Sequence, residues 1–388
     1  MPLPLENIRV LDLSRLLPGP FCTLTLADFG ADVIKIEDPK VGDYARWNQP
    51  QVDGHSHMFL SLNRNKRSVA LDLKTETGAK LFKRMVETAD ILVESFRPGV
   101  MERLGLDYET LREINPKLIY CAITGYGQDG PYSQYPGHDI NYLSFAGLLG
   151  QQGEQKGKPV SSSVQIADIG GGAQMAINGI LLALLERNKS GKGQFVDISM
   201  LDGSISWLQT LLPDYIATKS LPGRGQSVLN GGLACYEVYE TKDQRFISVG
   251  ALEPKFWVEF CKTIGRDDLI PQLEAPMEQQ TKMKAEIQAV IQQKTLAEWT
   301  DLFDGVDACV APLLNFDEVI ENPQVVHRQL IKEIYDPNLG KIQQIGVPIK
   351  LSETPGEIRF QAPKLGEHNN EILAELGYSS DEIKELNI

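Results

Sequence analysis

One histidine of the sequence lies where a loop could present it as an acid or a base. His138 occupies the run YPGHDINY, in which a proline and a glycine fix the chain before it and an apolar segment follows. Loops held by a rigid scaffold often carry reactive side chains, and imidazole titrates close to neutral pH. A purely structural histidine fits the same pattern, so both interpretations stay open on pattern alone.

Two carboxylates are the other candidates for acid–base chemistry. Asp168, in QIADIGGG, precedes a predicted helix that begins with three glycines. Its carboxylate could cap that helix, and the glycines could let a ligand approach a helix N-terminus, which favours negative charge. Both roles can hold together. Glu253, in GALEPKFW, follows a predicted strand, and its ordinary interpretation is a solvated carboxylate or a cap.

The other histidines and the cysteines do not indicate a metal site. His55 and His57 lack carboxylate partners at ligand spacing, and His327 and His368 lie in stretches typical of a surface. The five cysteines are scattered, odd in number and without CxxC spacing, which predicts neither a disulfide framework nor a zinc site. We therefore expect no metal and a reducing compartment.

The charge of the chain and its first residues narrow the class of protein. A formal net charge of −14 argues against a general nucleic-acid binder. A local cluster of cations at residues 63–67, NRNKR, could still hold phosphates, or it could be a solvated basic turn. The start MPLPLENIRV lacks the features of a signal peptide, and we see no uncharged run of membrane-spanning length, so a cytoplasmic location without membrane partners is expected.

Short apolar runs alternate with helix-like segments in the first half of the 388-residue chain. The runs include IRVLDL, DVIKIE, SVALDL, DILVES and LIYCAI. Strands that alternate with helices predict crossover connections and a mostly parallel, doubly wound α/β sheet. The turn at residues 17–20, LPGP, lacks the GxGxxG spacing of dinucleotide-binding folds. We expect a Rossmann-like sheet that does not bind a nicotinamide cofactor.

The pattern further predicts two domains. Residues 1–202 form a large Rossmann-like domain, to which residues 316–388 return. The Gly/Arg-rich end of residues 203–231, LPGRGQSVLNGG, reads as a linker. Strand-like and then helix-like runs over residues 232–315 predict a smaller α+β domain.

Seven motifs in sequence order resemble the family that unites class III CoA-transferases (CaiB/BaiF family) with α-methylacyl-CoA racemases. They are VLDLSRLLPGPFCTLTLADFGADVIKIE, NRNKRSVALDL, ADILVESFRPGVMERLG, GHDINY, QIADIGGG, GKGQFVDISMLDG and GALEPKFW, and they span residues from about 5 to 315. The resemblance implies a large Rossmann-like domain and a small domain joined by long linkers, in two subunits that interlock as a homodimer. It also implies that coenzyme A, as part of a thioester substrate rather than as a cofactor, binds to the large domain.

The resemblance also implies which residues hold coenzyme A. By motif these are Leu71, Ser95, Phe96, Arg97, Arg103 and the backbone of Gly137, Asp139 and Tyr142. Arginine suits phosphate because its guanidinium can donate paired, charge-assisted hydrogen bonds. The sequence departs from the family at Asp38, where many members have an arginine. Lys40 and Arg46 are the expected substitutes.

Within the family, the occupied positions favour a racemase. Racemisation next to a thioester carbonyl needs an acid/base group on each face of the carbon, and His138 and Asp168 are suited to be that pair. The amides that open the helix after Asp168 could stabilise the enolate. Glu253 resembles the glutamate that orients the histidine in racemases.

Three alternatives stay open. A class III CoA-transferase would use Asp168 as the nucleophile that forms covalent intermediates, and it would not need His138. A CoA-binding scaffold without catalysis would need none of the three candidate side chains. A nicotinamide oxidoreductase is disfavoured by the missing glycine motif. No motif encodes the length or branching of the acyl group.

Overall fold

The computed structural model describes residues 2–52, 54–336 and 340–386. The chain divides into two compact units. The first unit comprises Met1–Gly147, Ser162–Trp207 and Val326–Ile388, and the second comprises Leu148–Ser161 and Leu208–Val325. Residues 203–207 thus group with the first unit, whereas residues 208–231, 148–161 and 316–325 group with the second.

The described residues contain strands, α-helices and shorter helical segments. The strands are β1 (Arg9–Asp12), β2 (Asp32–Glu37), β3 (Gln51–Val52), β4 (His55–Ser56), β5 (Lys66–Ala70), β6 (Ile91–Glu94), β7 (Ile119–Thr124), β8 (Phe195–Ser199), β9 (Tyr236–Glu240), β10 (Phe246–Gly250), β11 (Val310–Pro312), β12 (Ile331–Asp336) and β13 (Gly340–Ile345). The α-helices are α1 (Pro18–Asp28), α2 (His57–Asn63), α3 (Glu76–Val86), α4 (Val100–Arg103), α5 (Tyr108–Ile114), α6 (Asp139–Phe145), α7 (Leu148–Gln151), α8 (Met175–Ser190), α9 (Met200–Ser206), α10 (Leu212–Thr218), α11 (Pro254–Thr263), α12 (Met277–Ile291), α13 (Leu296–Phe303), α14 (Phe316–Glu321), α15 (Pro323–His327), α16 (Asn369–Glu375) and α17 (Ser380–Leu386). Tyr44–Trp47 and Asp267–Gln272 are 3₁₀ turns, and Ala167–Gln174 is π-helical.

The first unit is built on a six-stranded sheet in the order β5-β2-β1-β6-β7-β8, and every neighbouring pair is parallel. The prediction of a Rossmann-like α/β fold with a mostly parallel sheet is confirmed. From β1 the chain winds outward through β2 to β5, and it then returns to β6 and winds the other way. The direction changes between β1 and β6, so a crevice is expected at the carboxyl ends of these two strands.

Burial explains why the central strands are continuous apolar runs. All six residues of β7, IYCAIT, are buried, as are all four of β6, because helices cover both faces of a parallel sheet. Helix α3 shows how the covering helices are specified. The Thr75 hydroxyl accepts the Gly78 amide at 3.0 Å and caps its start, and the face that packs inward comprises Leu81, Phe82, Met85 and Val86.

The cationic run at residues 63–67 has a different role from either one expected. Arg64 pairs with Asp28 at 2.7 Å, Lys66 pairs with Asp12 at 3.1 Å, and Arg67 pairs with Asp32 at 2.6 Å. Arg64 and Lys66 are buried. The run is therefore neither a phosphate site nor a solvated turn, because its charges neutralise carboxylates of the same unit.

The C-terminal part of the chain joins the first unit through backbone hydrogen bonds. The Asn65 amide donates to the Phe360 carbonyl at 3.0 Å, and the His368 amide donates to the Ser68 carbonyl at 3.0 Å. Because Ser68 lies on β5, this return segment covers the edge of the parallel sheet.

One helical stretch of the described residues, Ala167–Ser190, is long and apolar enough to cross a membrane by length and composition. Half of its most apolar window is buried within the protein. Core helices of folded domains have the same composition, and residues of α8, such as Ile180 and Ala183, belong to the buried core.

The second unit contains an antiparallel three-stranded sheet in the order β11-β10-β9. Aromatic side chains from α11 and α13 form much of its core. These are Trp257, Phe260, Trp299 and Phe303. The unit is an α+β arrangement with its own core, as the sequence predicts for the smaller domain.

Candidate active site

A cavity of about 350 Å³ lies where the strand order changes direction. Residues from the loops that follow β1, β6 and β7 line it, together with residues from around α6 and from the π-helical segment. The lining includes Arg15, Leu16, Ser95, Phe96, Arg97, Tyr135, Gly137, His138, Tyr142, Asp168 and Met200. The two candidate bases of this unit, His138 and Asp168, thus face one cavity although 30 positions separate them.

A second cavity of about 360 Å³ shares three lining residues with the first, namely Arg15, Tyr44 and Phe96. Leu71 and Arg103, two residues predicted to bind coenzyme A, line this second cavity. Of the other predicted contacts, Ser95, Arg97, Gly137 and Tyr142 line the first, Phe96 lines both, and Asp139 lines neither. Seven of the eight predicted residues therefore follow two adjoining cavities on one unit, which can accommodate an elongated ligand.

His138 lies at the N-cap position of α6, and its backbone is fixed from both sides. Its amide donates to the Asn141 side-chain oxygen at 3.1 Å, and its carbonyl accepts the Asn141 amide at 2.8 Å. The preceding Gly137 is held by the Tyr142 hydroxyl, which donates to its carbonyl at 2.6 Å. A Cβ at position 137 would lie 2.6 Å from the Tyr142 ring, so only glycine permits this close approach. The loop presents His138 rigidly, while the side chain itself is exposed.

Asp168 does not cap a helix, contrary to one interpretation of its motif. It lies in the first turn of the π-helical segment, and the Asp139 carboxylate takes the capping position. The Asp139 Oδ1 atom accepts the amides of Ala167 at 2.6 Å and of Asp168 at 3.0 Å. The Asp168 carboxylate is therefore not used for capping its own segment.

Two causes raise the pKa of Asp168 from 3.8 to about 7: burial, which is the larger, and the negative charge of Asp139. A carboxyl group with this pKa exists in both protonation states near neutral pH. Such a group can both accept and return a proton, which is the property that a general acid/base needs. The same surroundings raise the pKa of the neighbouring Tyr142 hydroxyl.

The three glycines that follow Asp168 serve packing rather than ligand approach. A Cβ at Gly171 would lie 2.6 Å from the Met200 carbonyl, and one at Gly170 would lie 2.2 Å from the Trp207 ring. The run lets the π-helical segment pack directly against α9. The expectation that these glycines open the backbone to a ligand is therefore wrong.

The amides that open the helix are also occupied. Ala167 and Asp168 donate to Asp139, and the Ile169 amide donates to the Gln165 carbonyl at 3.0 Å. They are consequently unavailable to an enolate oxygen, which corrects the source of stabilisation expected from the sequence.

Arg46 is not a substitute for the arginine that the family often has at position 38. Its guanidinium donates to both oxygens of Glu37, at 2.7 Å each, and to the Pro363 carbonyl. Lys40 lines a different cavity, of about 660 Å³. The cations that line the second cavity besides Arg103 are Arg15 and Lys74, which motif reasoning missed. Arg15 could have been found from its position in the loop after the first strand, next to the change in strand direction.

A buried ionic network fixes the loop after β1. The Lys35 ammonium donates to the Ser14 carbonyl at 2.9 Å and pairs with Asp43 at 2.8 Å. Asp43 in turn accepts the Leu16 amide at 3.0 Å. Leu16 lines the first cavity, so charges in the core set the position of its wall.

Buried Glu94 holds the loop after β6. Its Oε2 atom accepts the Phe96 amide at 2.6 Å, and burial followed by the charge of Asp197 raises its pKa to about 8. The adjacent Ser95 hydroxyl accepts the Arg15 amide at 3.3 Å, which joins the two loops. Glu94 could not have been singled out from the sequence beyond its position at the end of a strand.

Glu253 belongs to the second unit. It lies at the N-cap position of α11, where its carbonyl accepts the Phe256 and Trp257 amides at 3.0 Å each. Its side chain is exposed and makes no capping hydrogen bond. The orientation of His138 by Glu253 stays a prediction. Among the described residues, no cluster of three or more His, Cys, Asp or Glu side chains could hold a metal ion.

Comparison with known proteins assigns the whole architecture to one family. A model of CoA-transferase family III matches residues 5–369. The human α-methylacyl-CoA racemase is 38% identical over 99% of this chain and 96% of the relative, and the human succinyl-CoA:glutarate CoA-transferase is 34% identical over 99% and 88%. The crystal structure of a CaiB/BaiF family protein from Brucella suis covers 97% of this chain and 100% of its own, with a TM-score of 0.84 and 30% identity. The resemblance read from the seven motifs is confirmed, and the chain belongs to CoA-transferase family III.

Proposed function

We propose that the protein is an α-methylacyl-CoA racemase that interconverts the 2R and 2S forms of 2-methylacyl-CoA thioesters. The observation that carries this proposal is that His138 and Asp168 line one cavity, and that the pKa of Asp168 is about 7. A transferase needs only the carboxylate, whereas a racemase needs a proton donor and a proton acceptor at the same carbon.

The reaction begins with transfer of the Cα proton of the thioester to one base, which leaves an enolate. The protonated second base then gives its proton to the opposite face of the same carbon. In one direction the His138 imidazole accepts the proton and the Asp168 carboxylic acid donates; in the other direction the roles reverse. Exchange with solvent resets both groups after each turnover.

The enolate oxygen needs hydrogen-bond donors, and the start of α6 is their source in this proposal. Among the described residues, the backbone amides of Asp139 and Ile140 have no hydrogen-bond acceptor, and they adjoin His138. Donors fixed before the reaction stabilise developing charge without the cost of reorienting.

The nucleotide of coenzyme A occupies the second cavity in this proposal. Arg15, Lys74 and Arg103 supply the cations for its phosphates, and Leu71 contributes apolar contact. The pantetheine passes Phe96 and Ser95 towards His138 and Asp168. The proposed reaction needs no cofactor. The interlocked homodimer and the cytoplasmic location stay predictions.

A class III CoA-transferase is the second candidate. The specific observation in its favour is the Asp168 carboxyl itself, which faces the cavity and can act as a nucleophile in its ionised form. The human succinyl-CoA:glutarate CoA-transferase also matches nearly the whole chain at 34% identity.

Incubation of 2-methylacyl-CoA thioesters in D₂O distinguishes the candidates. A racemase incorporates deuterium at Cα and equilibrates the two epimers, and both signals fall at least about 100-fold in His138→Ala and Asp168→Ala. His327→Ala, a substitution in the short helix α15, is the matched control. Deuterium incorporation that persists in both variants refutes the two-base mechanism.

A transferase is detected by the fate of Asp168. With acyl-CoA present and no acceptor acid, hydroxylamine would trap an acyl–Asp168 adduct, and added carboxylic acids would be converted to thioesters. If coenzyme A binds but neither exchange nor transfer occurs, the non-catalytic CoA-binding scaffold replaces both proposals.

A further inference from the structure

The Asp139 side chain connects the two parts of the site that are distant in sequence. Asp139 directly follows His138 and is the first residue of α6. Its Oδ1 atom reaches across to the π-helical segment and accepts the Ala167 amide at 2.6 Å and the Asp168 amide at 3.0 Å. One carboxylate oxygen thus joins the loop of the histidine to the segment of the second base.

These two hydrogen bonds are donated by the first amides of the π-helical segment. The first amides of a helix have no acceptor within the helix, and an anionic acceptor at that end is favoured by both hydrogen bonding and the helix dipole. Ile166 supplies no side-chain cap, so the Asp139 carboxylate provides the cap from another element. Without it, the turn that carries Asp168 would lose its attachment to the His138 loop.

We propose that Asp139 is a positioning residue, whose carboxylate holds the turn that carries Asp168 in register with the loop that carries His138. The proposal rests on the proposed function, because it concerns the geometry of the same two bases. It differs from the role expected for position 139, which was a backbone contact to coenzyme A.

The charge of Asp139 has a second consequence at the same place. The charge of Asp139 is the second cause, and burial the larger one, that raises the pKa of Asp168 to about 7. The other titratable or charged groups that line the cavity around Asp168 are His138, Tyr142, Arg97, Arg15, Tyr44 and Tyr135. Asp139 is the charged neighbour that raises the pKa of Asp168, and a substitution can test this effect.

Two substitutions separate the hydrogen bonds from the charge. In Asp139→Asn the side-chain oxygen can still accept both amides, but the negative charge is gone. We expect kcat within about 3-fold of the wild type and a pKa of Asp168 lower by at least about half a unit, since a like charge has been removed. In Asp139→Ala both hydrogen bonds are lost, and we expect kcat to fall by about 30-fold to 100-fold with little change in KM, because a displaced base is costly.

The measurements are the pH profile of Cα deuterium exchange and a ¹³C NMR titration of the labelled Asp168 carboxyl, assigned with Asp168→Asn. Asp129→Asn is the control, because Asp129 is an exposed carboxylate in the loop between β7 and α6. We expect it to leave the pH profile and the titration unchanged. Thermal unfolding and CoA binding verify that each variant folds.

Three outcomes overturn the proposal. One is a wild-type rate and a wild-type Asp168 titration in Asp139→Ala. A second is an equal loss of rate in Asp139→Asn and Asp139→Ala, which would exclude the acceptor role. The third is a change in KM alone. The NMR titration and a crystal structure of Asp139→Ala do not depend on turnover, so they test the role of Asp139 even if the protein proves not to be a racemase.

Discussion

The ammonium group of Lys66 lies 3.1 Å from Asp12 Oδ2, and both side chains are completely buried in the first unit. The same ammonium donates to the Pro20 carbonyl, the Thr23 hydroxyl and the Asn63 side-chain oxygen at 2.8–3.0 Å. Asp12 ends β1, and Pro20 lies in the first turn of α1. The pair therefore fastens the turn between β1 and α1, which leads into the wall of the cavity.

Lys66→Met tests this attachment. The substitution removes one of the two buried ammonium groups near the Asp12 carboxylate and leaves Lys35 at 3.9 Å, so the cost is at most that of breaking a buried pair, about 3–5 kcal/mol. We expect a large fall in the free energy of unfolding of the first unit, measured by urea denaturation. Lys189→Met, at the exposed end of α8, is the control and should leave stability nearly unchanged. A midpoint for Lys66→Met equal to that of the control would contradict the assignment.

The raised pKa of Asp168 predicts a pH-dependent gain in stability for Asp168→Asn. The pKa of Asp168 is about 7 in the folded protein and its ordinary value is 3.8, so the folded protein holds this proton more tightly than the unfolded chain. The wild type consequently loses stability as pH rises through this window, whereas the asparagine variant does not. We expect the variant to melt higher by about 1–3 °C at pH 8, with the difference vanishing near pH 4.

Calorimetry at both pH values measures this difference. The reverse dependence, with a gain at pH 4 and none at pH 8, would show that Asp168 is stabilised as the carboxylate and could not serve readily as a proton donor. Asp129→Asn again provides a control with an exposed side chain.

The sequence motifs were sufficient to predict the sheet and the residues that meet at its edge. The reason is that strand periodicity and the order of strands and helices determine a parallel doubly wound fold. His138 reaches the cavity in the connection that follows β7, whereas Asp168 reaches it in the π-helical segment that leads into α8. The roles of individual charges could not be read in this way. Arg46 and Lys66 look like free cations in the sequence, and only the fold shows that Glu37 and Asp12 neutralise them.

The cap of the Asp168 segment shows the same limit for local patterns. An aspartate before three glycines is a good N-cap signal, yet the acceptor is Asp139, 29 positions away from Asp168. The glycines pack against α9 instead of a ligand. Contacts between distant segments override a local signal when two amides can donate to a charged acceptor on another element.

Glu94 predicts a difference between two substitutions that both replace its carboxyl group. Glu94→Gln keeps an oxygen that can accept the Phe96 amide, whereas Glu94→Leu leaves that amide unpaired. We expect the leucine variant to bind acyl-CoA about 5-fold to 30-fold more weakly and the glutamine variant to bind within about 3-fold of the wild type. Titration calorimetry with a CoA thioester measures both, and Glu113→Gln, exposed on α5, is the control. Equal weakening in the two Glu94 variants would contradict the role of the hydrogen bond from the Phe96 amide.

Lys74 and Arg15 should contribute to the binding of different parts of coenzyme A. Lys74 lines only the cavity assigned to the nucleotide, whereas Arg15 lines both cavities and donates to the Tyr44 hydroxyl at 3.1 Å. A charge-assisted contact to phosphate is worth about 1.5–3 kcal/mol, so Lys74→Ala should weaken acyl-CoA binding by at least about tenfold. Acyl-pantetheine lacks the nucleotide, and its binding should be insensitive to Lys74→Ala but weakened by Arg15→Met.

Lys40→Ala, in the separate cavity of about 660 Å³, is the control and should change the affinity for neither ligand. Because the comparison uses two ligands on each variant, a general loss of folding would lower both affinities together, whereas a nucleotide contact at Lys74 changes only the affinity for the CoA thioester.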